Sequence, residues 1–290
     1  MELVSPISED ISRLRRERPH VRPFVEPYVG LLLARDALVE ALVADDDALP
    51  APQPDLVRLT QGACLEPRDA FPLDVRALKR AFETLQPVMT AGFRDVRSDL
   101  LTVGRAAMED KDFLETTASG LLHDRHRELA RVSYGMGVGP RVLGFWGVQL
   151  LTPLAMARGR RLAPLVAGAS WNRGYCPVCG SWPGMLRRED ASGGTLTCSF
   201  CATRWRFTRR ECPYCEAPGP SGQVYAIPGF EGERVVVCRR CNHYLAELDT
   251  DALAEHAPEV AGLALAPLEL LARQHGHPAA TMDWRQMVWF

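Results

Sequence analysis

Eight of the nine cysteines fall into four Cys-x-x-Cys pairs: Cys176/Cys179, Cys198/Cys201, Cys212/Cys215 and Cys238/Cys241. Two residues between thiolates let one tight turn aim both sulfurs at a single ion, and two such turns complete a tetrahedron. Eighteen residues separate the first two pairs and 22 the last two, lengths that suit a β-hairpin bringing two knuckles face to face. Sequential pairing gives site 1 (Cys176, Cys179, Cys198, Cys201) and site 2 (Cys212, Cys215, Cys238, Cys241), with the ten residues between Cys201 and Cys212 as connector. An interleaved cross-brace satisfies the same spacings. Gly180 follows Cys179 where a positive φ is easily reached, whereas Glu216 takes the matching place after Cys215. Four thiolates suit zinc and mononuclear iron alike, and a closed tetrahedron leaves no open position for hydrolytic chemistry. The plainest role for each ion is to supply folding energy to a ribbon too small for its own core. On that reading Cys198→Ser or Cys238→Ser melts its own ribbon and leaves much of the rest folded. The ninth cysteine, Cys64, stands in a loop-like stretch and reads as incidental.

The elements that carry these knuckles divide the chain by composition. Residues 1–170 read as an all-α domain, 171–210 and 211–248 as two tandem four-cysteine modules, and 249–290 as a C-terminal helix and tail that pack back on the core. The fold class expected is α+β. Phe24, Tyr28, Leu31, Leu38 and Leu42 share one face of a first helix that ends in Asp45, Asp46 and Asp47, after which Pro50, Pro52 and Pro54 enforce a loop. Val75, Leu78, Phe82, Leu85 and Met89 make a second stripe with Asp74 placed to cap it. Further helices are expected over Arg94–Ala107 and Asp112–Arg131, and Pro140 suits the first turn of an apolar helix after the break at Gly135–Gly139. From Trp171 onward the pattern shortens: Trp205 and Phe207 alternate with Arg204, Arg206 and Thr208, and Val235–Val237 runs into Cys238 with Val224–Ala226 as partner strand. Val260, Leu263, Leu268 and Leu271 form the last helical stripe, followed by Trp284, Trp289 and Phe290.

With 290 residues, 47% of them hydrophobic, the chain can bury a sizeable core, and a formal net charge of −2 generates no strong field toward nucleic acid or an anionic membrane. Between Ser170 and Leu245 ten arginines face six acidic residues, a surplus that eight thiolates holding two divalent ions would cancel. Arg204, Arg206, Arg209 and Arg210 are the candidate partner surface, with a solvated strand face as the plainer alternative. Trp182, Trp205 and Tyr244 read as the ribbons' small core, and His123, His126 and His243 as non-ligands. The N-terminus lacks the layout of a secretory signal, Arg15-Arg16 is followed by no apolar core, and Val142–Ala157 is too short and polar to span a membrane, so a cytoplasmic location is expected. In that reducing compartment clustered cysteines mean metal or redox chemistry rather than disulfides. No nucleophile triad, phosphate loop or dinucleotide fingerprint points to an enzyme.

The run Tyr175-Cys176-Pro177-Val178-Cys179-Gly180-Ser181-Trp182-Pro183, then Leu196-Thr197-Cys198 and Cys201 to Trp205, then the Cys212 and Cys238 pairs closing on Tyr244-Leu245, resembles the formate dehydrogenase accessory proteins of the FdhE family. The likeness covers all four knuckles in order, is strong from about Trp171 to Leu248, and is weaker over the helical half. It implies two rubredoxin-like or zinc-ribbon-like modules, each holding one mononuclear ion, with iron as the family's metal. It further implies a non-enzymatic cytoplasmic assembly factor for respiratory formate dehydrogenase that contacts the catalytic subunit before export by the twin-arginine pathway. Two readings compete: a zinc-ribbon nucleic-acid-binding protein, motivated by the four arginines, and a rubredoxin-like electron carrier, motivated by iron. Neither the oligomeric state nor the partner-binding face follows from the sequence.

Overall fold

The computed structural model describes residues 6–45, 55–190, 193–218 and 222–280. The helical half begins with an amphipathic helix not expected from the sequence, α1 (Pro6–Glu17), which buries Ile11 and Leu14. The expected first helix is broken at its start into α2 (Arg22–Val25), a 3-10 turn at Glu26–Tyr28, and α3 (Val29–Val43). Pro23 and Pro27 each lack the N–H that a continuous helix would use, which accounts for the break. Asp46, Asp47 and the three loop prolines lie outside the described residues. A short α4 (Leu56–Thr60) follows, capped by the Asp55 carboxylate, which accepts from the amides of Val57 and Arg58.

In α5 (Val75–Gly92) Leu78, Phe82, Leu85 and Met89 of the expected stripe face inward while Val75, in the first turn, is exposed, and Asp74 caps the amides of Arg76 and Ala77 at 2.7 and 3.0 Å. α6 (Arg97–Glu109) matches the expected third helix to within a turn. The single helix expected over Asp112–Arg131 is instead a hairpin, α7 (Phe113–Leu122) and α8 (His126–Gly135), hinged where Asp124 takes φ +53°. Gly120 has no side chain under Leu129, and a Cβ there would lie 2.9 Å from the Leu129 methyl, so the hairpin closes by dropping leucine onto glycine. The 27-residue α9 (Pro140–Val166) runs through the middle of the body and is buried nearly all round. Its Trp146 donates to Gln86 Oε1 at 2.7 Å while Gln86 Nε2 donates to the Leu100 carbonyl at 2.9 Å, so a polar side chain pins three helices inside an apolar core. No helix among the described residues is long and apolar enough to cross a membrane.

The ribbons build one six-stranded sheet from β1 (Pro183–Asp190), β2 (Gly193–Cys198), β3 (Arg204–Phe207), β4 (Val224–Ala226), β5 (Glu233–Val237) and β6 (Tyr244–Asp249), in the order β3-β2-β1-β6-β5-β4. Pairing is antiparallel within each ribbon, and β1 lies parallel to β6 where the two ribbons meet. Burial in β3 alternates as its sequence requires, with Trp205 and Phe207 inside and Arg204 and Arg206 outside. The seam is welded on one face by charge. Buried Glu247 on β6 accepts from Arg188 on β1 at 2.8 Å and from Arg234 on β5 at 3.3 Å, and Arg234 also meets Asp249 at 2.6 Å. The opposite face of β4–β6 packs on α11 (Ala266–Gln274), while α10 (Pro258–Ala264) packs on α1 and α2, so Val235, Val237, Ala246 and Leu248 belong to the same apolar core as the helical body. Trp284, Trp289 and Phe290 lie outside the described residues.

Candidate metal centres

Each of the four knuckles repeats one backbone solution. The amide of its first cysteine donates at 2.9 Å to the carbonyl of the residue five positions on: Cys176 to Ser181, Cys198 to Thr203, Cys212 to Ala217 and Cys238 to His243. The residue just after the second cysteine sits in the left-handed region: Gly180 at φ +73°, Ala202 at +57°, Glu216 at +55° and Asn242 at +61°. That reversal turns the chain back under the sulfurs and leaves amides free to point at them, as the Phe200 and Cys201 amides do toward Cys198 Sγ at 3.4 and 3.5 Å. Glycine reaches this conformation without strain, whereas Ala202 and Glu216 hold it against their own Cβ atoms.

The sulfurs converge in two groups of four, Cys176/Cys179/Cys198/Cys201 and Cys212/Cys215/Cys238/Cys241, with the ligand atoms of each group within 4.8 Å of one another. Sulfurs of facing knuckles lie 3.6 Å (Cys176–Cys201) and 3.4 Å (Cys179–Cys198) apart in the first group, and 3.8 Å (Cys212–Cys241) and 3.7 Å (Cys215–Cys238) in the second. A tetrahedron with metal–sulfur bonds of about 2.3 Å has sulfur–sulfur edges of about 3.8 Å. The spacing therefore fits one four-coordinate ion per group, and all eight cysteines are free thiols. The sequential arrangement is the one adopted; an interleaved one is not.

Electrostatics point the same way. Burial pushes the Cys176 and Cys198 thiols well above their ordinary range, because apolar surroundings cannot stabilise several adjacent thiolates unaided. Burial likewise raises Cys212, with partial relief from the amides of Tyr214 and Cys215. At Cys238 desolvation is outweighed by the amides of Cys241 and Arg240, and the thiol comes down to about 7. A divalent cation is the counter-charge both groups call for, and either group can hold one.

The two groups differ in what surrounds them. All four cysteines of the first are buried, in an apolar cluster with Leu59, Trp171 and Trp205 and with Ala155, Leu162 and Val166 of α9. Gly159 of α9 touches the second knuckle so closely that a Cβ would lie 2.5 Å from the Cys201 carbonyl oxygen. The stretch after α4 zips along the first knuckle, with the amides of Leu65, Glu66 and Arg68 donating to the carbonyls of Pro177, Val178 and Cys179 at 3.0, 2.8 and 3.1 Å. Glu66 is then held by buried Arg158 of α9 in a part-buried bidentate pair at 2.6 and 2.8 Å. Sequence reading missed this brace entirely. Its donors are backbone amides in an irregular stretch, and nothing in Cys64–Arg68 identifies them as partners of residues more than a hundred positions away. Cys64 packs beside Gly180 on the same knuckle, and burial together with the nearby Cys179 sulfur raises its thiol to about 11.

In the second group Cys212, Cys215 and Cys241 are partly exposed. Four rings in edge-to-face contact link the two groups: Tyr175 to Trp182 at 6.2 Å, Trp182 to Tyr214 at 6.0 Å, and Tyr214 to His243 at 6.1 Å. Tyr175 precedes Cys176, Tyr214 lies inside the third knuckle and His243 follows the fourth. Trp205 and Tyr244 are buried as core residues, and Trp182 is half-buried. Of the four candidate partner-binding arginines, Arg206 pairs with Glu189 at 2.6 Å and Arg209 with Glu211 and Glu216 at 3.1 and 3.2 Å. Arg204 and Arg210 are exposed.

Fold and centres together define a helical protein that carries a double four-cysteine ribbon fused into one sheet. No family model matches the chain. Curated proteins similar to it include FdhE proteins. It is 29% identical over 147 residues to the FdhE homolog of Aquifex aeolicus, a match spanning 48% of this chain and half the length of that relative. It is 28% identical over 225 residues to FdhE of Escherichia coli, covering 73% of this chain and 68% of the relative. The crystal structure of the FdhE protein from Pseudomonas aeruginosa aligns with 91% of this chain and 95% of its own at 18% identity and a TM-score of 0.49.

Proposed function

We propose that this protein is a cytoplasmic, non-enzymatic maturation factor for formate dehydrogenase that binds the catalytic subunit before export, with one iron or zinc ion in each four-cysteine group. The observation that carries the reading is the ordered set of four knuckles in two convergent groups, in a chain similar to curated FdhE proteins. Closed tetrathiolate centres supply rigidity or one-electron chemistry rather than hydrolysis, which suits a factor that holds another protein without turning over a substrate.

A groove of about 1930 Å³ supports a polypeptide client. It opens between the helical body, the first knuckle and the segment after α11, with Phe24, Phe93 and Trp182 among its apolar walls and Asp69, Arg94 and Asp95 among its charged ones. Small-molecule pockets usually enclose about 300–1,000 Å³, so this space is of the size taken by an extended segment of chain. Because Cys179 and Gly180 form part of its wall, filling site 1 would fix the shape the client meets. Exposed Arg204 and Arg210 are the remaining candidates from the arginine patch.

The test is co-purification of the full chain with a tagged formate dehydrogenase catalytic subunit from anaerobically grown cells, alongside deletion of this protein. Retention of the pair and loss of formate dehydrogenase activity on deletion are expected. Normal activity in the deletion strain would refute the proposal.

A further inference from the structure

We propose that the two centres divide their labour: site 1 holds its ion as a permanent part of the core, and site 2 is the exchangeable centre through which metal is gained and lost. The inference rests on the reading that both groups hold metal ions and goes beyond it by assigning them different roles. An ion leaves a tetrathiolate only when one knuckle opens far enough for a competing ligand or water to take a vacated position, so its rate of loss follows the free energy of local opening.

At site 1 both knuckles are clamped from outside the ribbon. The first is hydrogen-bonded along its length by residues 65–68, which are tethered in turn by the Arg158–Glu66 pair. The second is wedged against Gly159 of α9. Opening either one breaks contacts with the helical body, and all four sulfurs are shielded from solvent. Site 2 is tied from outside at its fourth knuckle by the segment after α11: Asn242 Nδ2 donates to the Gly276 carbonyl at 3.1 Å and its Oδ1 lies 2.7 Å from His277 Nδ1, both at the exposed surface, and the amide of Tyr244 just beyond donates to the Pro278 carbonyl at 3.2 Å. Three of its cysteines are partly exposed, and the fourth knuckle presents Arg239 and Arg240 to solvent between Cys238 and Cys241. A cleft of about 250 Å³ between the connector and the sheet is floored by Leu196, Val236 and Leu245 and reaches Cys212 and Cys238 directly. That volume admits a small chelating group alongside these two cysteines. Aromatic contacts through Tyr214 anchor the third knuckle to the first ribbon, and the fourth, held by surface hydrogen bonds and the Tyr214–His243 contact rather than by the helical body, is the one that opens first.

The experiment uses the full-length protein, purified anaerobically and loaded with two equivalents of Co(II), whose thiolate absorption reports each site. It is mixed with excess 4-(2-pyridylazo)resorcinol, and aliquots are alkylated with N-ethylmaleimide and mapped by mass spectrometry. Two phases of release are expected, separated by about tenfold or more in rate because only site 1 must open against the helical body. Cys212, Cys215 and Cys241 should be alkylated with the fast phase, and Cys176, Cys179, Cys198 and Cys201 with the slow one. Cys241→Ser should abolish the fast phase and keep the slow one. Mapping on the unmodified chain decides the matter even where that variant folds poorly. Two bound ions released in one phase, or site 1 cysteines alkylated first, would overturn the division of labour while leaving the metal reading intact. A chain that takes up no ion would overturn both.

Discussion

The left-handed residue after each second cysteine is where single side chains decide most. Gly180 and Asn242 suit that position, and Glu216 does not: a non-glycine residue there costs about 1–2 kcal/mol. Glu216→Gly should therefore stabilise the metal-loaded second ribbon by about 1 kcal/mol, offset only slightly by loss of its exposed contact with Arg209. A rise in the thermal midpoint of the loaded protein would bear this out, and an unchanged or lower one would contradict it. The part-buried Arg158–Glu66 pair gives a second prediction at this scale. Arg158→Ala leaves a half-buried carboxylate without its partner and should cost about 1–3 kcal/mol, whereas Arg158→Leu combined with Glu66→Leu should recover much of that loss. Urea midpoints of the single and double variants would separate the two. The eight cysteines were legible because their chemistry requires a fixed local spacing. Glu66 and Arg158 were not, because a pair 92 positions apart leaves no local trace.

Among the elements, helices with a strong stripe and a capping residue were readable. α5 begins at Asp74 as expected because the cap and the first inward residue are specified within one turn. Helix ends set by packing were less readable. The α7–α8 hinge depends on Leu129 reaching Gly120, a contact that no periodicity contains. Joining the ribbons into one sheet changes what a cysteine substitution should do. Knuckle 1 is the acceptor for the amides of Leu65, Glu66 and Arg68, so losing site 1 should release that stretch as well as its own hairpin. Cys198→Ser is expected to remove hydrogen-exchange protection at those three amides, and Cys238→Ser to leave it largely in place. Equal loss in both variants would mean the shared sheet passes the damage on. Helical circular dichroism should survive in large part in either case, because α3, α5 and α9 also pack extensively on one another.

For the molecule as a whole, the two ends of the chain are tied together. His256 sits between buried Asp10 and Glu17 of α1, with Nε2 at 2.9 Å from Glu17, and Asp10 also caps the Ala257 amide at 2.7 Å. The hydrogen bond from His256 holds the Glu17 carboxyl below its ordinary value against some desolvation. A carboxylate whose folded pKa is depressed contributes stability that is fully present above its unfolded pKa and is lost as pH falls through the folded one. The advantage of the native chain over Glu17→Gln should therefore be greatest near neutrality and disappear in acid, which paired thermal melts from pH 7 to pH 3 would read. An advantage that grew on acidification would contradict the assignment. The sequence by itself determined the pairing of eight cysteines into four knuckles, the helical character of the first half and the alternation of the ribbon strands, because each is fixed by spacing within a turn, a helix face or a hairpin. Only the tertiary structure decided that the ribbons share a sheet across a parallel β1–β6 seam, that the helical body clamps site 1, and that site 2 is left partly exposed. These features rest on contacts between residues distant along the chain, which packing selects only once the core has formed.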